Sequence, residues 1–327
     1  MLFMRSILVS TILLLITLTS CSIGTTVNSE PVSPFQSNSS KRSVILAGTS
    51  NPASIYCSFD SGKSWNESVI QSSKIGSSVN AFAGCDSVMY AAVSTIGILK
   101  STDVGKHWTV LSNGDEAYSL CIFNDWILFG TPDGFRRIRQ GRSNVEWAKS
   151  GAYSVDPRSF AFLGSKVIAG NGSQSLWRIM VSTDSGATWM PSSDGIDSND
   201  VLQNIVALNG NLFASGGCQT VYMSLDSGVT WRHFITTTPY DYAHSMAVDS
   251  LSILVGTERN GLFKFSKSDS ILTRIKSFNG GSIPSMTVID GQIFLATDQG
   301  IFCSSDHGKS WEARNQGIKN WNVFTIW

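Results

Sequence analysis

A motif repeated about every forty residues, short apolar runs set between glycine-containing turns, and two chain ends that complete one another predict an all-β fold. The expected architecture is a single seven-bladed β-propeller with four-stranded blades, its ring closed by the C-terminal strand.

The motif is Ser-x-Asp-x-Gly-x-x-Trp, and it occurs five times. The copies run Ser58, Asp60, Gly62, Trp65; Ser101, Asp103, Gly105, Trp108; and Ser182, Asp184, Gly186, Trp189. Two more follow as Ser224, Asp226, Gly228, Trp231 and Ser304, Asp306, Gly308, Trp311. Each of the two wide gaps holds one decayed copy, over residues 138–146 leading into Trp147 and over residues 263–272. That brings the count to seven units. Upstream of the motif a strand-like run ends in Ala/Gly-Thr/Ser, as in Ile127-Leu128-Phe129-Gly130-Thr131 and Ile253-Leu254-Val255-Gly256-Thr257. A turn and a second aliphatic-aromatic run then lead into the motif's serine. Four strands in each of several radially repeated units make a propeller.

The ends of the chain fit a closed ring. The first unit starts at Val44, which matches the second strand of the other units. Its missing first strand has a counterpart in Asn322-Val323-Phe324-Thr325-Ile326-Trp327. A blade assembled from both ends leaves no open sheet edge.

Each residue type in the motif has a structural task. Aspartate accepts backbone N–H groups across a tight turn, glycine supplies a positive φ, and serine bonds locally. Tryptophan contributes a large apolar area and a single N–H donor. The motif resembles the Asp-box, or bacterial neuraminidase repeat, of sialidases, sortilin-type receptors, xyloglucanases and photosystem II assembly factors. The resemblance covers nearly all of the domain. It implies that the boxes lie on turns between third and fourth strands, away from the active face. Asp60, Trp65, Asp103, Trp108, Asp184, Trp189, Asp226, Trp231, Asp306 and Trp311 are therefore expected to be structural.

The N-terminus is of another kind. Residues 1–6 carry Arg5, residues 7–17 form an apolar run, and Leu18-Thr19-Ser20-Cys21 follows. This is the layout of a secretory signal, too short for a stable transmembrane anchor. The last four residues resemble a bacterial lipobox. That resemblance implies cleavage after residue 20 and a lipid on Cys21, placing the protein at the cell envelope, periplasmic or on the cell surface. Residues 21–42, rich in Ser, Thr, Asn and Pro, read as a flexible tether, and residues 43–327 as the propeller.

Charged residues are 15% of the chain, with 24 basic and 24 acidic, so there is no electrostatic footprint for nucleic acid. Cys57, Cys85, Cys121, Cys218 and Cys303 form no CxxC pair and have no histidine at ligand spacing. No metal or cofactor is expected, and the cysteines read as small buried apolar residues. Of the four histidines, His107 and His307 fall inside box turns and His233 just beyond one. Only His244, at the start of an inner-strand run, is a candidate near a ligand.

Sialidases carry an Arg-Ile-Pro signature and generally six blades; the chain has Ser282-Ile283-Pro284 instead. Xyloglucanase-like enzymes resemble two propellers in tandem, and the chain supplies one. The balance leans away from an enzyme and toward a monomeric, membrane-anchored module that binds a protein or carbohydrate. The expected ligand-binding face combines Tyr153, Asp156 and Arg158 with Tyr240, Asp241, Tyr242 and His244, and adds Glu258, Arg259, Asp298 and Trp321. The alternative is a glycoside hydrolase using two carboxylates from Asp156, Asp241, Glu258 and Asp298. Photosystem II assembly factors carry an arginine patch; Arg136, Arg137, Arg139 and Arg142 offer one counterpart in this sequence, but read first as a solvated run in a decayed blade.

Overall fold

Successive side chains of a strand point to opposite faces of its sheet, so a strand apolar at every position must be covered on both sides. The strand Val88–Val93 is of this kind. Met89, Ala91 and Val93 pack toward the preceding blade against Leu46 and Ile55, while Tyr90 and Ala92 pack toward the following blade against Ile127 and Phe129. Seven such apolar clusters alternate with seven sheets around a ring. The computed structural model describes residues 44–327 apart from 86, 115, 151–154, 173–176, 218–219, 237–240, 250–251 and 267–271. The signal, Cys21 and the tether therefore lie outside the described residues, as do Tyr153, Tyr240 and Cys218.

The fold is a seven-bladed β-propeller. In blade two the strands run from the axis outward as Val79–Cys85, Val88–Val93, Gly97–Ser101 and His107–Asn113. The innermost strands of blades three to seven are Ser119–Phe123, Pro157–Leu163, Leu202–Leu208, Ala243–Val248 and Ser285–Ile289. Blade one is completed from both ends of the chain. Val323–Ile326 is its innermost strand and pairs with Ile45–Thr49, with Ala47 opposite Ile326 and Thr49 opposite Val323. Reciprocal bonds between Leu46 and Trp327, at 2.8 and 2.9 Å, extend the closure to the last residue. Val323 and Ile326 are buried among residues of blades one and seven.

Two blades carry a fifth strand that the sequence reading did not anticipate. Val69–Gln71 lies parallel to the outer strand of blade two, and Lys149–Ser150 lies parallel to Thr188–Pro191 of blade four. Each is part of the linker from one blade to the next. Running along the neighbouring outer edge gives that edge's backbone groups partners and covers an otherwise open strand.

The Gly-Thr ends of the second strands also have a packing cause. A Cβ on Gly130 would stand 2.1 Å from the carbonyl oxygen of Pro157, so blades three and four approach there to a distance that only glycine permits. Cys57, Cys121 and Cys303 are buried free thiols, and Cys85 is partly buried. No helix among the described residues is long and apolar enough to cross a membrane.

Candidate ligand-binding face

The two ends of the ring differ in kind. One carries the Ser-Asp-Gly-Trp turns, each joining a third to a fourth strand. In the first turn Ser58 Oγ donates to Asp60 Oδ1 at 2.8 Å and accepts the Gly62 N–H at 2.9 Å. Asp60 also accepts the Ser64 N–H at 2.9 Å and the Ser64 hydroxyl at 2.5 Å. The same bonds recur around Asp184, Asp226 and Asp306, with Thr188, Thr230 and Ser310 in the place of Ser64. His107 takes that place beside Asp103, its Nδ1 2.6 Å from the carboxylate. This fourth position was missed in the sequence, although four of the five tryptophans follow a Ser or Thr. At Gly62, Gly105 and Gly186 the turn glycine seats its turn on the preceding blade. A Cβ on Gly105, at φ +85°, would stand 2.6 Å from Leu46 of blade one.

These bonds depress the aspartate pKa values. For Asp226 the Thr230 hydroxyl is the main cause, followed by the Thr230 N–H, and the carboxyl falls to about 2. Desolvation opposes ionisation at Asp60 and Asp103, but the donors around them outweigh it and both also stand at about 2. A carboxyl depressed in the folded state stabilises above its unfolded pKa and loses that contribution as pH falls through the folded value. Melting temperature should therefore fall steeply between about pH 4 and about pH 2. A double variant Asp60→Asn, Asp226→Asn should flatten that acid limb and start from a lower Tm at pH 7. An acid limb as steep as in the parent would mean that other groups cause it.

The opposite end is formed by the linkers between blades and the loops joining second to third strands, and every described member of the expected ligand face lies there. Arg158 donates through Nε and Nη2 to Asp156 Oδ2 at 2.9 and 2.7 Å. Its guanidinium lies 3.9 Å above the ring of Tyr118 in blade three. Asp241 is 2% exposed; it accepts the N–H groups of Tyr242 and Arg259 at 3.0 Å and of Asn260 at 2.9 Å. Its carboxylate thus builds the loop of blade six instead of facing solvent. Tyr242 is exposed, its ring covering Gly217 of blade five. His244 lies 6.2 Å from it, ring to ring. Burial lowers the His244 pKa more than Glu258 and Asp241 raise it, so the ring is neutral at pH 7. Glu258 stands 4.0 Å from Arg259, while Asp298 and Trp321 are exposed on the loops of blade seven and of the closing linker.

Strand register reveals a feature of this face that the sequence reading did not find. The innermost strands of blades two, four, five and six each carry one unpaired residue near this end, namely Asn80, Arg158, Gln203 and His244. Phe324 holds that place in blade one. Tyr118 and Pro284 are its equivalents in blades three and seven, shown by a bond linking consecutive blades. At four of the blade junctions the residue before that position offers its carbonyl to a side chain of the preceding blade. Asn80 reaches Ala117 at 2.8 Å, Ser119 reaches Pro157 at 2.7 Å, Ser215 reaches Ala243 at 3.2 Å and Ser245 reaches Ile283 at 2.7 Å. Five blades thus deliver one off-register side chain each to the same level of the ring, and Tyr118 and Pro284 take the corresponding places in the other two. These positions recur about forty residues apart, each after a buried residue, so superposing the repeats would have found them.

Two depressions among the described residues, of about 200 and 80 Å³, open at the end with the Ser-Asp-Gly-Trp turns. Both are smaller than a typical small-molecule pocket of about 300–1,000 Å³. Three of the four arginines of blade three are paired, and Arg142 is exposed: Arg136 lies 3.9 Å over Trp147, Arg137 lies 3.8 Å over Trp126 and bonds Glu146, and Arg139 stands 3.7 Å from Asp125. They do not form an uncompensated basic patch.

Tyr222 is fully buried and donates to Asp200 Oδ2 at 2.7 Å. Burial, then the hydrogen bond to Asp200, raises its pKa, the reverse of what a tyrosine nucleophile requires. Among the described residues no group of three His, Cys, Asp or Glu is placed to hold a metal ion.

No family model matches the chain, and no curated protein matches it. Solved structures do. The BT4673 extracellular domain from B. thetaiotaomicron superposes with a TM-score of 0.67 at 16% identity, over 80% of this chain and 36% of that one. An ancestral GH74 enzyme gives 0.60 at 15% identity, over 72% and 38%. YCF48 bound to D1 peptide gives 0.64 at 13% identity, over 80% and 88%. The chain thus spans little more than a third of the BT4673 and GH74 chains. At these identities the likeness is one of fold, and it agrees with the propeller.

Proposed function

We propose that the chain is a non-catalytic binding or assembly module of the bacterial envelope, anchored by a lipid on Cys21, which recognises a protein or glycan. Its repeated turns are read as Asp-boxes with a purely structural role, and its ligand lies on the opposite face. One observation carries the reading: three of the four candidate carboxylates there are engaged, which leaves exposed Asp298 without a second available carboxyl among them. Asp241 is occupied by three backbone N–H groups, Asp156 is held by Arg158, and Glu258 lies beside Arg259. Glycoside hydrolysis needs two available carboxyls about 5–10 Å apart in one site. YCF48 was solved with a peptide bound, which supports binding as a use of this fold. The full chain in detergent, applied to peptide and glycan arrays, should bind a subset of ligands and leave them intact. Reducing sugar released from a bound glycan would overturn the non-catalytic reading in favour of the hydrolase.

A further inference from the structure

Bulges redirect single side chains out of a sheet and gather at functional sites. One such residue from each of five blades, with Tyr118 and Pro284 in the corresponding places of the other two, all at the same end of the innermost strands, encircles the mouth of the central channel. The carbonyl bonds between consecutive blades fix the backbone beneath them, so these side chains stand on a rigid platform. Binding to a fixed platform costs little ordering entropy.

The chemistry of the ring narrows what it can hold. It contains no carboxylate and no lysine. Its one permanent cation, Arg158, is compensated by Asp156 and rests on the Tyr118 ring. The Gln203 carboxamide offers donors and an acceptor side by side, while Asn80, whose Nδ2 donates to Ala117 and Ser94, offers its Oδ1 as an acceptor. Three of the four exposed aromatic side chains among the described residues, Tyr242, Trp321 and Phe324, are at this end of the ring. Among these seven side chains an ionic ligand would find no unpaired opposite charge and would lose its hydration without compensation. Pyranose rings present apolar C–H faces and adjacent hydroxyls, which suit aromatic faces and planar amides respectively.

Building on the binding-module reading above, we propose that the ring of off-register side chains is the contact surface for a neutral oligosaccharide.

The test uses the full chain in detergent on an array of neutral, sialylated and sulfated glycans beside peptides. Titration calorimetry would then follow the best neutral hit. A neutral oligosaccharide should bind, and Gln203→Ala and Phe324→Ala should each weaken it at least about tenfold, or about 1.4 kcal/mol. Both side chains are partly or well exposed, so their Tm should stay within about 2 °C of the parent. Trp147→Ala, on the outer side of blade three, should bind as the parent does. Preference for a charged glycan or a peptide would overturn the neutral-sugar assignment, as would neutral-glycan binding that ignores both ring variants. Each of those results leaves the binding module standing. Hydrolysis of the hit would remove its non-catalytic character, and no binding at all would remove both readings.

Discussion

Deletion of residues 322–327 is expected to destabilise the propeller by at least about 5 kcal/mol, lowering Tm by about 10 °C or more, or to abolish folding. The deletion removes the innermost strand of blade one. Val323 and Ile326 then no longer fill the space between blades seven and one, and Trp327 leaves the cluster between blades one and two. Fully burying side chains of this kind is worth about 1.5–3 kcal/mol each, before any lost backbone bond is counted. The deletion also leaves Ile45–Thr49 as an open, wholly buried-type edge, a template for aggregation. Phe324→Ala in the same strand supplies the contrast: its side chain is 41% exposed, and the change should cost less than about 1 kcal/mol. Circular dichroism melts of the three chains would decide it. A truncated chain melting with the parent would mean that the ring does not need this closure.

The architecture was legible because it is written many times over. Asp226, Gly228 and Trp231 say about their turn what Asp60, Gly62 and Trp65 say about theirs, and each copy fixes a third-to-fourth-strand connection. The complementary ends gave the closure, since a unit lacking its first strand and a surplus strand at Val323–Ile326 require each other. The site was much less legible. As proposed, it is made from single residues of seven blades, and what marks Asn80 or Gln203 is a slip in pairing, which exists only once two strands are aligned. Asp241 shows the converse difficulty. In sequence, an aspartate between tyrosines reads as a ligand group; in the fold its oxygens face three backbone N–H groups. The fifth strands Val69–Gln71 and Lys149–Ser150 were hidden because a short parallel edge strand has no hydrophobic period of its own.

The decayed repeat of blade three sets up the sharpest comparison between two tryptophans. Sequence spacing equates Trp147 with Trp108, but their surroundings differ. Trp108 is fully buried, packed 6.2 Å from Phe82 and donating its indole N–H to the Gly105 carbonyl at 2.9 Å. Trp147 is 58% exposed and covers the Arg136 guanidinium. Truncating a buried tryptophan loses its transfer free energy and leaves a cavity, so Trp108→Ala should cost about 3–5 kcal/mol. Because this indole lies between blades one and two, the cavity opens where Leu46 seats against the turn, and the loss should spread to the closing blade. Trp147→Ala removes one exposed cation–π contact and should cost under about 1 kcal/mol. Chemical denaturation of both variants gives the two numbers directly. Equal losses would mean that the third repeat keeps its structural tryptophan after all, whereas a large loss at Trp108 alone ties the role of the motif to burial between blades.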